Sequence, residues 1–179
     1  MKRFLKNFSA FDLVVLAMMA ALGVAVKPLV VSLAHMVTGP LLIPGGSLAG
    51  GFYMMWLILG AAIVDKRGAA TLIGLVQAIL VLAVGVYGTH GIVSLLTYTL
   101  PGLGVDLLYF AFRLKAGNKS AMFTGGILAN VCGVLLTNLV FFRLPLIPFL
   151  LSLSAGALSG GVGGLLAFLV SSRLKKLRL

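Results

Sequence analysis

His90, Ser94 and Thr97 fall at helical spacing on one face of an apolar stretch, with Tyr98 beside them. On a second stretch Asn130 and Thr137 lie two turns apart on one face, and Asn138 adjoins them. Gln77 sits near the middle of a third stretch, while Phe52, Tyr53 and Trp56 gather near the start of a fourth. These are neutral hydrogen-bonding groups and aromatic rings, with few side chains able to pass a proton or attack a bond. Their chemistry is holding rather than reacting. Brought together, Trp56, Gln77, His90, Thr97, Tyr98, Asn130, Thr137 and Asn138 would form an aromatic-walled, nearly uncharged pocket suited to a small heteroaromatic molecule.

Each piece also has a plainer use. Tyr53 and Trp56 suit an interfacial aromatic belt. Lone Asn, Ser and Thr side chains join apolar helices through hydrogen bonds, and His35 and His90 suit solvated loops. Catalytic arrangements are missing: no phosphate-binding GxxxxGK[ST] loop, no HExxH and no GxSxG occurs, so the chain carries no ATP motor and no recognisable hydrolase site. Glutamate is absent, and the only acids are Asp12, Asp65 and Asp106. Gly102-Leu-Gly-Val-Asp106 superficially resembles the motif of intramembrane aspartyl proteases, but its spacing differs and no second stretch supplies a partner acid. Asp106 is expected to pair with Arg113, seven residues on along the same helix face. Cys132 stands alone in an apolar run, so no disulfide framework or cysteine metal cluster is available. Neither a metal nor a cofactor is expected.

The elements that must position these groups are apolar runs long enough to cross a bilayer, about 17–25 residues each when helical. With 61% hydrophobic and 9% charged residues and a mean hydropathy of +1.19, the chain lacks the polar surface of a soluble domain. The expected fold is an all-α integral membrane protein of six transmembrane helices forming one domain over residues 1–179, with spans near 11–33, 48–64, 69–86, 92–112, 121–142 and 146–170. Of the 14 basic residues, all but Lys27 and Arg143 fall at the N-terminus, at Lys66–Arg67, around Arg113–Lys119, and at the C-terminus. Those are the termini and alternate loops of a six-span count, and the positive-inside rule therefore puts both termini in the cytoplasm. The net charge of +11 then faces anionic lipid rather than nucleic acid.

Lys27 and Pro28 interrupt the first run near its outer end, predicting a kinked or partly unwound tip with the lysine snorkelling to the interface. The N-terminal run also has features of a signal peptide, but its apolar character resumes beyond Pro28, which favours a retained span. A long Pro- and Gly-rich outer connection, His35 to Ser47, has the composition of a lid. Gly156, Gly160 and Gly164 recur every four residues in the last span, as Ala17, Ala21 and Ala25 do in the first. Rows of small residues let helices approach closely in lipid. The glycine row is expected to pack within the chain, and the alanine row to face another protein.

Three stretches resemble one family: Gly60-Ala-Ala-Ile-Val-Asp-Lys-Arg-Gly-Ala-Ala70, Leu100-Pro-Gly-Leu-Gly-Val-Asp-Leu-Leu-Tyr-Phe-Ala-Phe-Arg113, and the alanine row of the first span. Together they resemble the substrate-capture (S) components of energy-coupling factor (ECF) transporters, and most of all the YkoE-like group associated with thiamin and its hydroxymethylpyrimidine precursor. The resemblance implies a six-helix vitamin-binding subunit of a bacterial plasma membrane. Its partners would be a transmembrane coupling protein, docking on Ala17, Ala21 and Ala25, and two ATP-binding-cassette ATPases. Ligand would enter from outside beneath the first outer loop, and the subunit would topple in the membrane to release it. A small membrane adaptor without ligand, and an uncoupled solute carrier, are the other readings the residues allow. The topology is directly testable: cysteines placed at Gly68 and Gly117 are expected to react with impermeant reagent only from the cytosolic side, and one at Gly88 only from outside. External labelling of Gly117 would overturn the six-span arrangement.

Overall fold

The computed structural model describes residues 7–85 and 91–177. Six α-helices run through these residues, with no β-strand among them: α1 Ala10–Thr38, α2 Gly45–Val64, α3 Ala69–Val84, α4 Ser94–Ala111, α5 Lys119–Thr137 and α6 Leu146–Lys176. Five of them, all but α3, are long and apolar enough to cross a membrane; α3 has 16 residues. A 3-10 turn at Gly39–Leu41 follows α1, another at Gly91–Val93 precedes α4, and α5 ends in a π-helical turn, Asn138–Phe142.

Local chemistry accounts for the boundaries. Ser9 caps α1 in a reciprocal box, its hydroxyl accepting from the Asp12 amide at 3.2 Å while Asp12 accepts from the Ser9 amide at 2.7 Å. Asp65 ends α2 in the left-handed conformation (φ 48°), and Gly68 opens α3 with φ 85°, a value suited to glycine. The expected break at Lys27 and Pro28 does not form: α1 continues through Pro28 to Thr38. The chain flanking Pro28 stays fully helical, and Ser32 Oγ donates to the Pro28 carbonyl at 2.8 Å. The connection read as His35–Ser47 is correspondingly shorter, because its first residues belong to α1 and its last to α2.

Packing is organised around α2, which touches α1, α3, α5 and α6 and is the most buried of the long helices. Its residues Leu57, Ile58 and Leu59 are fully enclosed and join Leu16, Ile73, Val105 and Met122 in the main core. Contacts between α2 and α6, and between α5 and α6, bring backbone onto backbone. A Cβ on Gly163 would collide with the Gly51 carbonyl, and one on Gly126 with the Gly160 carbonyl. The glycine row of α6 thus packs inside the chain, with Gly160 and Gly164 against α5 and Gly156 against Val134. By contrast Ala17, Ala21 and Ala25 are exposed along α1.

The basic segments share one end of the bundle. Lys66 in the α2–α3 turn pairs with Asp12 at the start of α1, while the Lys175 side chain near the end of α6 lies against Gly117 in the α4–α5 loop. Asp106 does not pair with Arg113. Its carboxylate instead accepts from the Thr71 amide at 2.7 Å and the Thr71 hydroxyl at 2.6 Å, capping α3 from the neighbouring helix α4. This arrangement neutralises free amides that α3 cannot satisfy for itself. Replacing Asp106 with Ala should lower stability by about 1–3 kcal/mol, the usual cost of leaving a buried donor unmet, whereas Asp106→Asn keeps an acceptor and should lose less. Thermal unfolding of the detergent-solubilised variants measures both, and equal stability of Asp106→Ala and the parent would remove the capping role.

Candidate functional site

At the end opposite the basic segments, α1 to α5 diverge around a cavity of about 400 Å³. Lys27, Pro28, Val31, Ser32 and His35 contribute one wall from α1; Gly45, Gly46, Ser47, Tyr53 and Met54 contribute another from α2. Gln77 enters from α3, Thr97 and Tyr98 from α4, and Gly133, Val134 and Thr137 from α5, with Phe142 of the π turn alongside. Beneath Tyr98, an apolar cluster of Val24, Ala78 and Val81 ties α1, α3 and α4 together and keeps their spacing.

Lys27 is the residue that gives the cavity its electrical character. Its ammonium donates to the Tyr98 hydroxyl at 2.6 Å and stands 4.4 Å from the centre of the Tyr98 ring and 5.4 Å from that of Tyr53. Both rings present π electrons to the charge, partly replacing lost hydration. The Tyr53 hydroxyl in turn donates to the Gly46 carbonyl at 3.3 Å, fixing that ring to the start of its own helix. Gln77 is 4% exposed, packs against Gly23 where any side chain would clash, and has no hydrogen-bond partner among the described residues. A buried amide facing a cavity in this condition is ready for an incoming group.

The residues singled out from sequence separate into two sets. Gln77, Thr97, Tyr98 and Thr137 line the cavity, although the Thr137 hydroxyl is engaged by the Gly133 carbonyl of its own helix at 2.9 Å. Trp56, Asn130 and Asn138 stand outside the lining. Trp56 packs against the main core, its indole nitrogen buried without a partner. Asn130 is 1% exposed and donates to the Ser47 carbonyl of α2 at 3.0 Å and the Gly156 carbonyl of α6 at 2.8 Å, so one amide ties three helices together. Asn138 accepts from the Leu144 amide at 2.9 Å and closes the turn into α6. His90 lies outside the described residues. Tyr53, of the aromatic group at the start of α2, lines the cavity, and so do Lys27 and His35, whose positions in the sequence suggest a snorkelling lysine and a loop histidine.

A family described as "ABC-type cobalt transport system, permease component" matches residues 11–132. The chain belongs to that family. Among solved structures, a crystal structure of an S-component of an ECF transporter aligns over 96% of this chain and 88% of its own length with a TM-score of 0.80. At 19% identity, this likeness establishes a shared fold. Comparison with curated proteins returned no match. The family's matched segment carries four of the five helices that surround the cavity, and the α5 wall around Val134 and Thr137 lies just beyond it.

The assignments of Asn130 and Gln77 differ in what they predict for the ligand-free protein. Asn130→Leu should cost about 1–3 kcal/mol of stability, because two buried carbonyls lose their donor. Gln77→Ala should leave ligand-free stability close to that of the parent, since no protein partner is lost. Thermal unfolding in detergent separates the two, and a large loss for Gln77→Ala would make it a structural residue.

Proposed function

We propose that this protein is the substrate-capture subunit of an ECF-type importer, binding a small heteroaromatic vitamin or vitamin precursor from outside the cell. The single observation that carries this reading is the cavity itself. It is large enough for a vitamin-sized molecule, has aromatic and amide side chains directed into it, and opens at the end remote from the basic segments. The positive-inside rule puts that remote end outside and both termini in the cytoplasm. The shared fold with an ECF S-component supports the same role, and the family's membership in ABC-type transport supports an ATP-driven system whose motor resides in other chains.

The ligand class follows from the lining. A divalent cation such as cobalt finds a poor donor set here: the lining holds a lysine ammonium and, of carboxylate, thiolate and imidazole ligands, only His35. No cluster of three or more His, Cys, Asp or Glu side chains occurs among the described residues. Thiamin, a cation, meets the same ammonium, so within the thiamin-related group the neutral hydroxymethylpyrimidine is the better fit. An organic molecule with hydrogen-bonding edges suits Gln77, Tyr98 and Thr97, with Tyr53, Met54 and Phe142 as apolar walls.

Coupling requires a surface. Ala17, Ala21 and Ala25, flanked by exposed Leu13, Val14, Met18 and Leu22, form a smooth apolar strip on α1. In this reading the strip receives the transmembrane coupling protein, which connects the subunit to two ATP-binding-cassette ATPases. Because the strip is exposed, Ala17→Trp and Ala21→Trp should leave the monomer folded while abolishing co-purification with the coupling module and uptake by whole cells. Ligand binding by the isolated subunit should survive. Full uptake by both variants would remove the docking strip, and a purified parent protein that neither carries nor binds any vitamin would remove the capture role.

A further inference from the structure

Among the described residues, no acidic side chain lines the cavity that holds the Lys27 ammonium. Glutamate is absent from the chain, and Asp12, Asp65 and Asp106 all sit at the basic end, on the far side of the core from Lys27. Residues 86–90 contain no acid either. A lysine placed at membrane depth is costly, and such residues pair or serve a substrate. An ammonium has three protons to donate. Lys27 directs one bond to the Tyr98 hydroxyl, and the rings of Tyr98 and Tyr53 flank the charge without cancelling it.

The Tyr98 hydroxyl is left in a particular state by this contact. Its oxygen accepts from Lys27, so its own proton is directed elsewhere. Lys27 of α1 and Tyr98 of α4 therefore present two adjacent donors to the cavity, one of them charged, and Gln77 adds an amide whose hydrogen-bonding capacity is unspent. Two neighbouring donors match the two oxygens of a carboxylate, and one ammonium matches one negative charge. A charged pair formed in this enclosure is stronger and shorter than a neutral hydrogen bond. A phosphate dianion would bring a second charge, for which the lining holds no second lysine or arginine.

Resting on the capture reading above, we infer that the substrate is an organic monocarboxylate, its acid group held by Lys27 and Tyr98 and its body lying toward Gln77 and the aromatic walls. The charge supplied by the ligand then completes a pair that the apo protein leaves open, so acid recognition and ligand-dependent stability share one contact.

The test uses the purified full chain in detergent and a panel of matched compounds: nicotinate and nicotinamide, pantothenate and panthenol, biotin and biotinamide, lipoate and lipoamide. Thiamin, hydroxymethylpyrimidine, inorganic phosphate and chloride complete the set. Binding is read by isothermal titration and by thermal stabilisation, for the parent and for Lys27→Met, Lys27→Gln and Lys27→Arg. At least one acid is expected to bind tenfold or more tightly than its uncharged partner, in line with the added strength of a charged hydrogen bond. That preference should disappear in Lys27→Met and Lys27→Gln and persist in Lys27→Arg. Tighter binding of a neutral partner, of hydroxymethylpyrimidine or of thiamin than of every acid would overturn the carboxylate assignment while leaving the capture role standing. Equal stabilisation by phosphate or chloride would reduce the site to an inorganic anion site and overturn it as well. Acid preference surviving in both neutral variants would assign recognition to another group. Failure of the parent to bind any member would count against the capture role itself, and the carboxylate assignment would fall with it.

Discussion

In a lipid environment apolar side chains gain nothing by leaving solvent for one another, so helices associate only where their surfaces fit closely and their polar groups find partners. This constraint governs the whole molecule. Gly51 against Gly163 and Gly126 against Gly160 bring backbones into direct contact, and Asn130 then spans the resulting junction by donating to carbonyls of α2 and α6. The α2–α5–α6 unit is the fixed part of the protein. The cavity lies between this unit and α1, α3 and α4, whose own registration depends on Asp106 capping α3 and on the Val24, Ala78, Val81 and Tyr98 cluster.

The same constraint explains which features were legible from sequence. Apolar length and basic punctuation are one-dimensional properties, so the helices and the shared basic end could be anticipated from Lys66, Arg67, Arg113 and Lys175 alone. Close-packing glycines announce themselves by spacing, as Gly156, Gly160 and Gly164 did. The rotational setting of each helix is another matter, because it decides whether an asparagine meets a cavity or a neighbouring backbone. Asn130 and Gln77 have similar chemistry and similar depth in their spans, yet one joins three helices and the other faces open space. Nothing in local sequence distinguishes them.

Lys27 was the hardest residue to read, for a related reason. A lysine next to a proline near the end of an apolar run ordinarily signals a frayed helix end and a side chain reaching for water. Here α1 continues past both, which carries Lys27 to a position several turns inside the helix and points it toward Tyr98. The missed signal was the absence of any nearby sequence acid combined with two tyrosines on facing spans, a pattern that has meaning only once α1, α2 and α4 are known to be neighbours. Asp106 illustrates the converse. Its partner Thr71 lies 35 residues away on another helix, whereas the arginine seven residues on, Arg113, falls past the end of α4 with φ 52°.

The unequal lengths of the helices carry a mechanical meaning for the surrounding lipid. At 1.5 Å per residue, α3 spans about 24 Å, short of the hydrocarbon thickness of about 30 Å, whereas α1 and α6, with 29 and 31 residues, would measure about 43 and 46 Å. Leu75, Ile79 and Leu82 of α3 are nevertheless exposed apolar side chains. A bilayer crossed by all six helices would thin on the α3 side, while α1 and α6 would extend through and beyond it or lean. In such a sheet the unequal helices would act as a wedge, and leaning away from the upright would relieve mismatch for the long helices without equal benefit to the short one. Tilting about an axis in the membrane plane would then have a preferred direction, set by helix length before any partner is engaged.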